Sequence, residues 1–551
     1  MPITLKQISA LEKVRAYEPL NHREFKSYSV LQGQRLSYQV VIDTQDVRER
    51  RSKIWVESEL GDFTRLYNVK EVIVDKPSRE PVTDENYLLT EPGLLPDVLV
   101  PLDQQNETVA ISGGNVIIWV KIDVPADFAP GKYNVKLCVT AGFEGNEPVE
   151  SVDMEVNVLP ALMPEQSLKY TRWFYADCIA DIHGAEIFSE RHWKLIEEYI
   201  KVATDEGINM ILVPTHTPPL DTAEGTTRPC VQLIDIEKKG DTYIFGFEKF
   251  RRFIAICKKH GVKYYEMAHL FSQWGSKYAP NIMVSENGKT DYMFGWHVAA
   301  DSEEYRGFLK QYIAAIFDEL TREGIADYAY FHVSDEPHPE NLDKYKIARD
   351  IIKPLIGNAK TFDALSHYEF CEQGLVECPV TSVGRIHKFL EHNIAEQWVY
   401  YCCGPERVFT NSFIAMPSCR TRILGFQIYK YDIKGFLHWG FNFYNSQISL
   451  YKLNPYHTTS SDRAFPSGDA YIVYPGNETA YPSIRAEITF EAMQDIRICR
   501  ALEALIGREA VVALIDEAAG KPLRFDDYPD GNDFLEDLRA KMLGEIEKLT
   551  K

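Results

Sequence analysis

Apolar and polar residues alternate with a period of two through about residue 160, in short runs separated by Gly, Pro and Asn. Residues 38–43, 69–74, 115–123, 133–139 and 152–158 all carry this pattern. A period of two puts one face of a strand in a core. Several such strands without helical periods between them predict an antiparallel β-sandwich over 1–160, closed by Leu159-Pro160.

From residue 168 the pattern becomes apolar strands alternating with amphipathic helices, the arrangement of a parallel α/β fold. A strand at 169–175 precedes a helix that starts after Ser189, carries Trp193, Ile196, Tyr199, Ile200 and Ala203 on one face, and stops at Gly207. Strands follow at 208–214, 262–268, 326–333, 360–365, 379–383, 397–402 and 435–441. Helical periods fall between them, one introduced by a capping-box pattern at Asp301 and Glu304. Eight strand–helix units predict a closed (β/α)8 TIM barrel over 165–505, because eight is the number at which such a sheet closes. The last barrel helix is expected at 483–505. A C-terminal helical extension over 506–551, with a helix near 533–549, is expected to pack on the barrel exterior.

Composition narrows the partners. The 551 residues are 45% hydrophobic and 26% charged, ordinary for a globular protein of more than one core. Asp and Glu (81) outnumber Lys and Arg (60), for a net charge of −21, and no basic run offsets it. Nucleic acid and membrane surfaces are therefore not expected partners. The first residues lack a signal-peptide pattern and no run of about 18 apolar residues occurs, so the expected location is cytoplasmic. Ten scattered cysteines do not make a disulfide scaffold. Cys402-Cys403 has no zinc-type ligand spacing beside it, and reads as reduced thiols. No metal and no cofactor is expected.

The candidate chemistry sits at 326–337, Ala-Asp-Tyr-Ala-Tyr-Phe-His-Val-Ser-Asp-Glu-Pro. This apolar strand ends in adjacent carboxylates, Asp335 and Glu336, where burial and mutual repulsion push two pKa values apart. The competing reading is a helix cap made by Ser334 or Asp335. A barrel places function in the loops at the carboxyl ends of its strands. That rule selects Trp173, Thr215, His216, His269, Trp274, His367, Tyr401, Trp439, Asn442 and Tyr444 around the acidic pair. Aromatic platforms with a few placed polar groups suit a carbohydrate substrate; any one of these aromatics alone is more readily ordinary core, and it is the set at one rim that points to a site. Asp469, in a Gly-Asp turn after the eighth strand, either binds sugar hydroxyls or organises its loop.

Ser334-Asp335-Glu336-Pro337, Leu437-His-Trp-Gly-Phe-Asn-Phe-Tyr444, Gly468-Asp-Ala-Tyr-Ile-Val-Tyr-Pro-Gly476, Ser483-Ile-Arg-Ala-Glu487 and Glu491-Ala-Met-Gln-Asp495 occur in that order. Over about 165–505 the chain thereby resembles the bacterial domain of unknown function 4091, related to glycoside hydrolase family 123. The resemblance implies a β-sandwich before a (β/α)8 barrel and a retaining β-N-acetylgalactosaminidase-like activity assisted by the substrate's own 2-acetamido group. Asp335 would orient that group and stabilise an oxazolinium-like intermediate, while Glu336 would protonate the leaving oxygen and then activate water. The mechanism also asks for a hydroxyl donor, for which Tyr401 and Tyr444 are candidates, with Trp173, Trp274 and Trp439 as walls. Two alternatives stand beside it. One is a glycosidase acting on another sugar with Glu266 or Asp363 as nucleophile. The other is a carbohydrate-binding protein without catalysis.

Overall fold

The computed structural model describes residues 3–44, 50–79, 86–104, 107–111, 113–140 and 148–551. The N-terminal part is two facing sheets. One holds, in spatial order, Thr4–Ser9, Arg35–Thr44, Gly114–Asp123, Thr64–Val74 and Gly93–Leu102. The other holds Ser27–Gln32, Val149–Leu162, Gly131–Thr140 and Ile54–Glu57. Pairing is antiparallel except where Ser27–Gln32 runs parallel to Val149–Leu162. That last strand does not stop at Pro160. A register slip between Leu159 and Leu162 lets the chain carry the proline through to the strand's end.

Alternation explains the packing. Tyr38, Val40 and Ile42 meet Val135, Leu137 and Val139 between the sheets. Val41, Tyr67, Val69 and Trp119 point the other way and join the core that continues into the barrel. The five-stranded sheet is thus covered on both faces.

The second part is a closed barrel of eight parallel strands. They are β1 (Lys169–Arg172), β2 (Met210–Val213), β3 (Tyr264–Met267), β4 (Ala329–Phe331), β5 (Lys360–Leu365), β6 (Cys378–Ser382), β7 (Trp398–Tyr400) and β8 (Gly435–His438), which pairs back to β1. The helix Glu190–Asp205 is capped by Ser189 as the pattern predicts. The helix Glu303–Arg322 is capped by Ser302, whose hydroxyl accepts from the Tyr305 amide, and not by Asp301. Ser302 is the residue in extended conformation three places before that amide, which is what a cap requires. Between β2 and the Glu303–Arg322 helix, two hairpins, Asp235–Lys239 with Thr242–Gly246 and Ile282–Glu286 with Lys289–Phe294, join into a four-stranded sheet.

The helix Ile484–Ile506 fastens the parts together. Arg485 pairs with Asp97 of the five-stranded sheet at 2.9 Å, both wholly buried, and donates to the carbonyls of Gly468 (2.7 Å) and Tyr471 (3.0 Å). Glu487 accepts from buried Lys121 of the same sheet. Glu491 and Asp495 bind Arg422 at 3.1 and 2.7 Å and Arg539 at 3.0 and 3.2 Å. The charged residues of the 483–495 motifs are therefore assembly contacts, far more buried than helix surfaces allow without partners.

Two helices follow, Arg508–Ala519 and Asn532–Thr550. The second lies against the last barrel helix, Ile484–Ile506, as expected, and also reaches strands Ser27–Gln32 and Val149–Leu162 of the N-terminal sheets. Arg539 holds it to the Ile484–Ile506 helix through Glu491 and Asp495. Removing one partner of a buried pair leaves the other charge uncompensated. Asp97→Ala is expected to cost about 3–5 kcal/mol, read as a lower midpoint in thermal unfolding. An unchanged midpoint would refute this role for the Arg485 pair.

Candidate active site

Past β4 the chain turns through Ser334, whose hydroxyl donates to the Ser272 carbonyl at 2.9 Å. The next helical turn begins only at Pro339, with His338 as its cap residue, and no side chain caps it or the helix Leu342–Ile356. The acidic pair is therefore not a helix cap. Asp335 Oδ2 accepts from Gln273 Nε2 at 2.8 Å, and Glu336 Oε1 accepts from the Tyr400 hydroxyl at 2.6 Å.

Glu336 sits at φ +42°, in the left-handed region, immediately before a proline. Such a conformation costs on the order of 1–3 kcal/mol and persists where surrounding structure imposes it. Trp274 (φ +54°) and Ser276 (φ +51°) share this feature in the loop after β3, and the Trp274 amide donates to the Asp335 carbonyl at 3.1 Å. Strained backbone thus occurs at Glu336 itself and in the loop that bonds the Asp335 carbonyl.

Both carboxylates open into a cavity of about 200 Å³ at the carboxyl end of the barrel. Trp173, Trp274, Trp439, Tyr175, Tyr400 and Phe465 form its aromatic walls, and Asp221, Gln273 and Gln447 add polar groups. Burial, reinforced by the neighbouring Glu336 charge and opposed by the Gln273 amide and His332, lifts the Asp335 pKa to about 8. Burial also lifts Asp221 to about 6.

Beneath the cavity lies a buried polar layer. Burial alone would strip the proton from His332, but its contacts with Asp363 (3.1 Å) and Glu266 (3.1 Å) overcome that and raise its pKa to about 9. Glu266 also accepts from Trp173 Nε1 at 3.0 Å and from Thr171. Asp363 accepts from the Tyr345 hydroxyl at 2.6 Å and from the Val333 amide at 3.1 Å. Both of these carboxylates are fully buried, and neither lines the cavity. Among the described residues, His269, His332 and Asp363 have ligand-type atoms within 4.8 Å of one another. Both ring nitrogens of His332 are already engaged, by Asp363 and Glu266, so a metal there would have to displace one of these contacts.

Of the residues selected from the sequence, Asp335, Glu336, Trp173, Trp274 and Trp439 come together in the cavity. The others do not line it. His216 bonds the His269 carbonyl at 2.9 Å, and His269 stacks on His332 with ring centroids 3.9 Å apart. His367 is half-buried opposite His338, at 5.9 Å. Asn442 brackets Tyr175, accepting from its amide at 2.9 Å and donating to its carbonyl at 3.0 Å. The Tyr444 hydroxyl donates to the Val473 carbonyl at 3.0 Å. Tyr401 is buried against Phe436 and His438, because successive strand residues face opposite ways and Tyr400 takes the cavity side. Asp469 accepts from Trp439 Nε1 at 3.0 Å, which holds that ring in place.

The N-terminal sheets reach this wall. Asp75 accepts from the hydroxyls of Thr458 (2.7 Å), Ser460 (2.6 Å) and Ser467 (3.1 Å), bracing the loop that carries Phe465 and Asp469.

The family model for the catalytic domain of glycoside hydrolase 123 matches residues 173–502. The chain belongs to glycoside hydrolase family 123. A family 123 glycoside hydrolase from Clostridium perfringens, described for glycolipid glycan hydrolysis, superposes with a TM-score of 0.71 at 15% identity, covering 100% of this chain and 98% of that one. A Parabacteroides merdae β-glucuronidase gives only 0.32 at 10% identity, over 90% of this chain and 51% of the other. No curated protein sequence matches the chain. As a family 123 glycosidase the protein acts on a carbohydrate, and the cavity lined by Asp335 and Glu336 brings two carboxylates together with a set of aromatic rings. Among the described residues, no helix is long and apolar enough to cross a membrane.

Sequence reasoning missed Tyr400, Gln273, Asp221 and Tyr175. Tyr400 was marked only by the phase of a period-two strand in which the next position, Tyr401, is also tyrosine. Gln273, immediately before Trp274, carries no signal of its own.

Proposed function

We propose that this family 123 member is a retaining exo-glycosidase for β-linked 2-acetamido sugars, N-acetylgalactosaminide-like, that works by substrate assistance. The observation that carries the reading is the pairing of two adjacent carboxylates in one cavity with different partners, Gln273 for Asp335 and Tyr400 for Glu336. The cavity, at about 200 Å³, is smaller than the about 300–1,000 Å³ of typical ligand sites, which suits one terminal sugar. The ordered motifs at 334–337, 437–444 and 468–495 further suggest that the chain groups with the domain of unknown function 4091.

In this mechanism the acetamido carbonyl oxygen attacks the anomeric carbon as the glycosidic bond breaks. Glu336 gives its proton to the departing oxygen. Asp335 accepts from the acetamido N–H and balances the positive charge of the oxazolinium ion. Water then opens that ring from the same face, and Glu336 takes its proton, which retains configuration. Tyr400, rather than Tyr401 or Tyr444, is the hydroxyl within reach, and it orients Glu336.

The pair must hold one proton to work. Burial favours that proton on Asp335, with a pKa of about 8, so the pair keeps it up to about pH 8 and loses it above. In the reaction it passes to Glu336, leaving Asp335 as the carboxylate that the oxazolinium ion needs. We expect kcat/KM to fall on the alkaline side with a limb near pH 8. A flat profile through pH 10 would contradict this.

A separate-nucleophile reading keeps one supporting observation. Glu266 and Asp363 are sequestered, but Asp221 lines the cavity. A panel of aryl β-glycosides with and without the 2-acetamido group separates the two. The proposal expects turnover confined to the 2-acetamido members and competitive inhibition by a thiazoline mimic of the oxazoline. Equal turnover of unacetylated glycosides would overturn it.

A further inference from the structure

Cys402 and Cys403 follow Tyr400 by two and three residues, and both thiols line the substrate cavity. Both are free and half-buried. Six of the other cysteines, by contrast, are buried. Their Sγ atoms are 3.9 Å apart, in contact with each other. The backbone around them is clamped. Asn411 Nδ2 donates to the carbonyls of Cys402 (2.9 Å) and Pro405 (3.0 Å), and the Cys402 amide donates to the Gly404 carbonyl at 2.9 Å. The two sulfurs are therefore held together, facing the space that substrate occupies.

Their environments differ. The sulfur–sulfur contact, helped by the Arg79 cation and against burial, lowers the Cys403 pKa, while the same contact and burial raise Cys402. Of the two sulfurs, Cys403 is the more readily ionised. An accessible thiolate next to a second thiol is the arrangement that reacts with peroxide and then resolves.

We propose that Cys402 and Cys403 are an oxidation site in the cavity wall, where hydrogen peroxide converts Cys403 to a sulfenic acid and Cys402 condenses with it into a vicinal disulfide. In the first step the Cys403 thiolate attacks one peroxide oxygen. An S–O bond forms, the O–O bond breaks, and the hydroxide released takes up a proton to become water. In the second step the Cys402 sulfur attacks the Cys403 sulfur. An S–S bond forms, the S–O bond breaks, and a second water leaves. Two thiols are oxidised by two electrons in all, and one peroxide is reduced to two waters.

Adjacent Cα atoms are only about 3.8 Å apart, short of the about 4.4–6.8 Å usual for a disulfide. The closed pair is accordingly easy to reduce, so the modification is reversible by thiols. Closure moves both sulfurs within a wall that also carries Tyr400 and the Glu336 it holds. Oxidation is thus expected to lower glycosidase turnover. The thiol chemistry depends on the cavity geometry and not on which sugar binds, so it stands or falls separately from the acetamido reading.

The test treats the reduced full-length protein with graded peroxide, traps remaining thiols with iodoacetamide and follows each cysteine peptide by mass spectrometry. The Cys402–Cys403 peptide should lose two hydrogens and its alkylation at least about tenfold faster than the half-buried Cys371 peptide, with both restored by dithiothreitol. Cys402→Ser should strand Cys403 as a sulfenic acid that dimedone captures. Oxidation of the pair no faster than Cys371, or absence of a dimedone adduct at Cys403 in a folded Cys402→Ser protein, would overturn the proposal. The wild-type peptide masses decide the matter even if the variant does not fold.

Discussion

Glu336→Gln is expected to reduce kcat/KM by about 10²–10⁴-fold on a substrate with a poor leaving group, while the unfolding transition stays in place. Glutamine keeps the shape, and its amide still accepts from the Tyr400 hydroxyl that binds Glu336 Oε1 at 2.6 Å. What it lacks is a transferable proton. The defect should therefore depend on the leaving group. With a dinitrophenyl glycoside, whose phenolate departs without protonation, the first step no longer needs the acid and most of its loss should disappear. Glu336→Ala adds a second signature, because a small anion such as azide fills the vacated space and attacks the intermediate in place of activated water. A β-glycosyl azide product is expected. A uniform loss across leaving groups, with no azide effect, would mean that Glu336 only shapes the cavity.

Asp335→Asn is expected to lower kcat by about 10²–10³-fold with little change in KM, the size seen when a preorganised electrostatic group is removed from a transition state. Asn still accepts from Gln273 Nε2, so the contact seen at 2.8 Å has a counterpart in the variant. It cannot neutralise a positive oxazolinium ion in a site where Asp335 is itself buried. The alkaline limb near pH 8 should also move, because the group whose pKa burial raises is gone. Activity within a few-fold of wild type on a 2-acetamido glycoside, with the limb unmoved, would remove Asp335 from the chemistry.

Most of the architecture was legible because it rests on periodicity. All eight barrel strands coincide with apolar runs, and the change of pattern near residue 168 falls where sheet gives way to barrel. What escaped was decided by tertiary contacts. Pro160 is a turn signal locally, yet a register slip absorbs it at the end of a strand. The helix Arg508–Ala519 has few buried residues and so a weak apolar stripe. The C-terminal helix meets the last barrel helix, where Arg539 finds Glu491 and Asp495, and also reaches the N-terminal sheets, contacts that no local window connects.

The same division holds in the site. Asp335 and Glu336 were visible as carboxylates ending an apolar strand, and the three tryptophans as large side chains at loop starts. Choosing between Tyr400 and Tyr401 required the phase of β7, and Asn442 proved to act on Tyr175 rather than on the cavity itself. Glu487, Glu491 and Asp495 stand in motifs as prominent as the acidic pair, but their partners Lys121, Arg422 and Arg539 make them structural. A motif located the important residues without separating chemistry from assembly.

The most direct test of substrate assistance varies the nucleophile itself. Aryl 2-acetamido glycosides in which the acetyl methyl carries none, one, two or three fluorines hold the sugar and leaving group constant while weakening the carbonyl oxygen. If that oxygen attacks the anomeric carbon in the cavity around Asp335 and Glu336, kcat/KM should fall steeply and progressively along the series. A flat series, together with a glycosyl group trapped covalently on Asp221, would contradict the account.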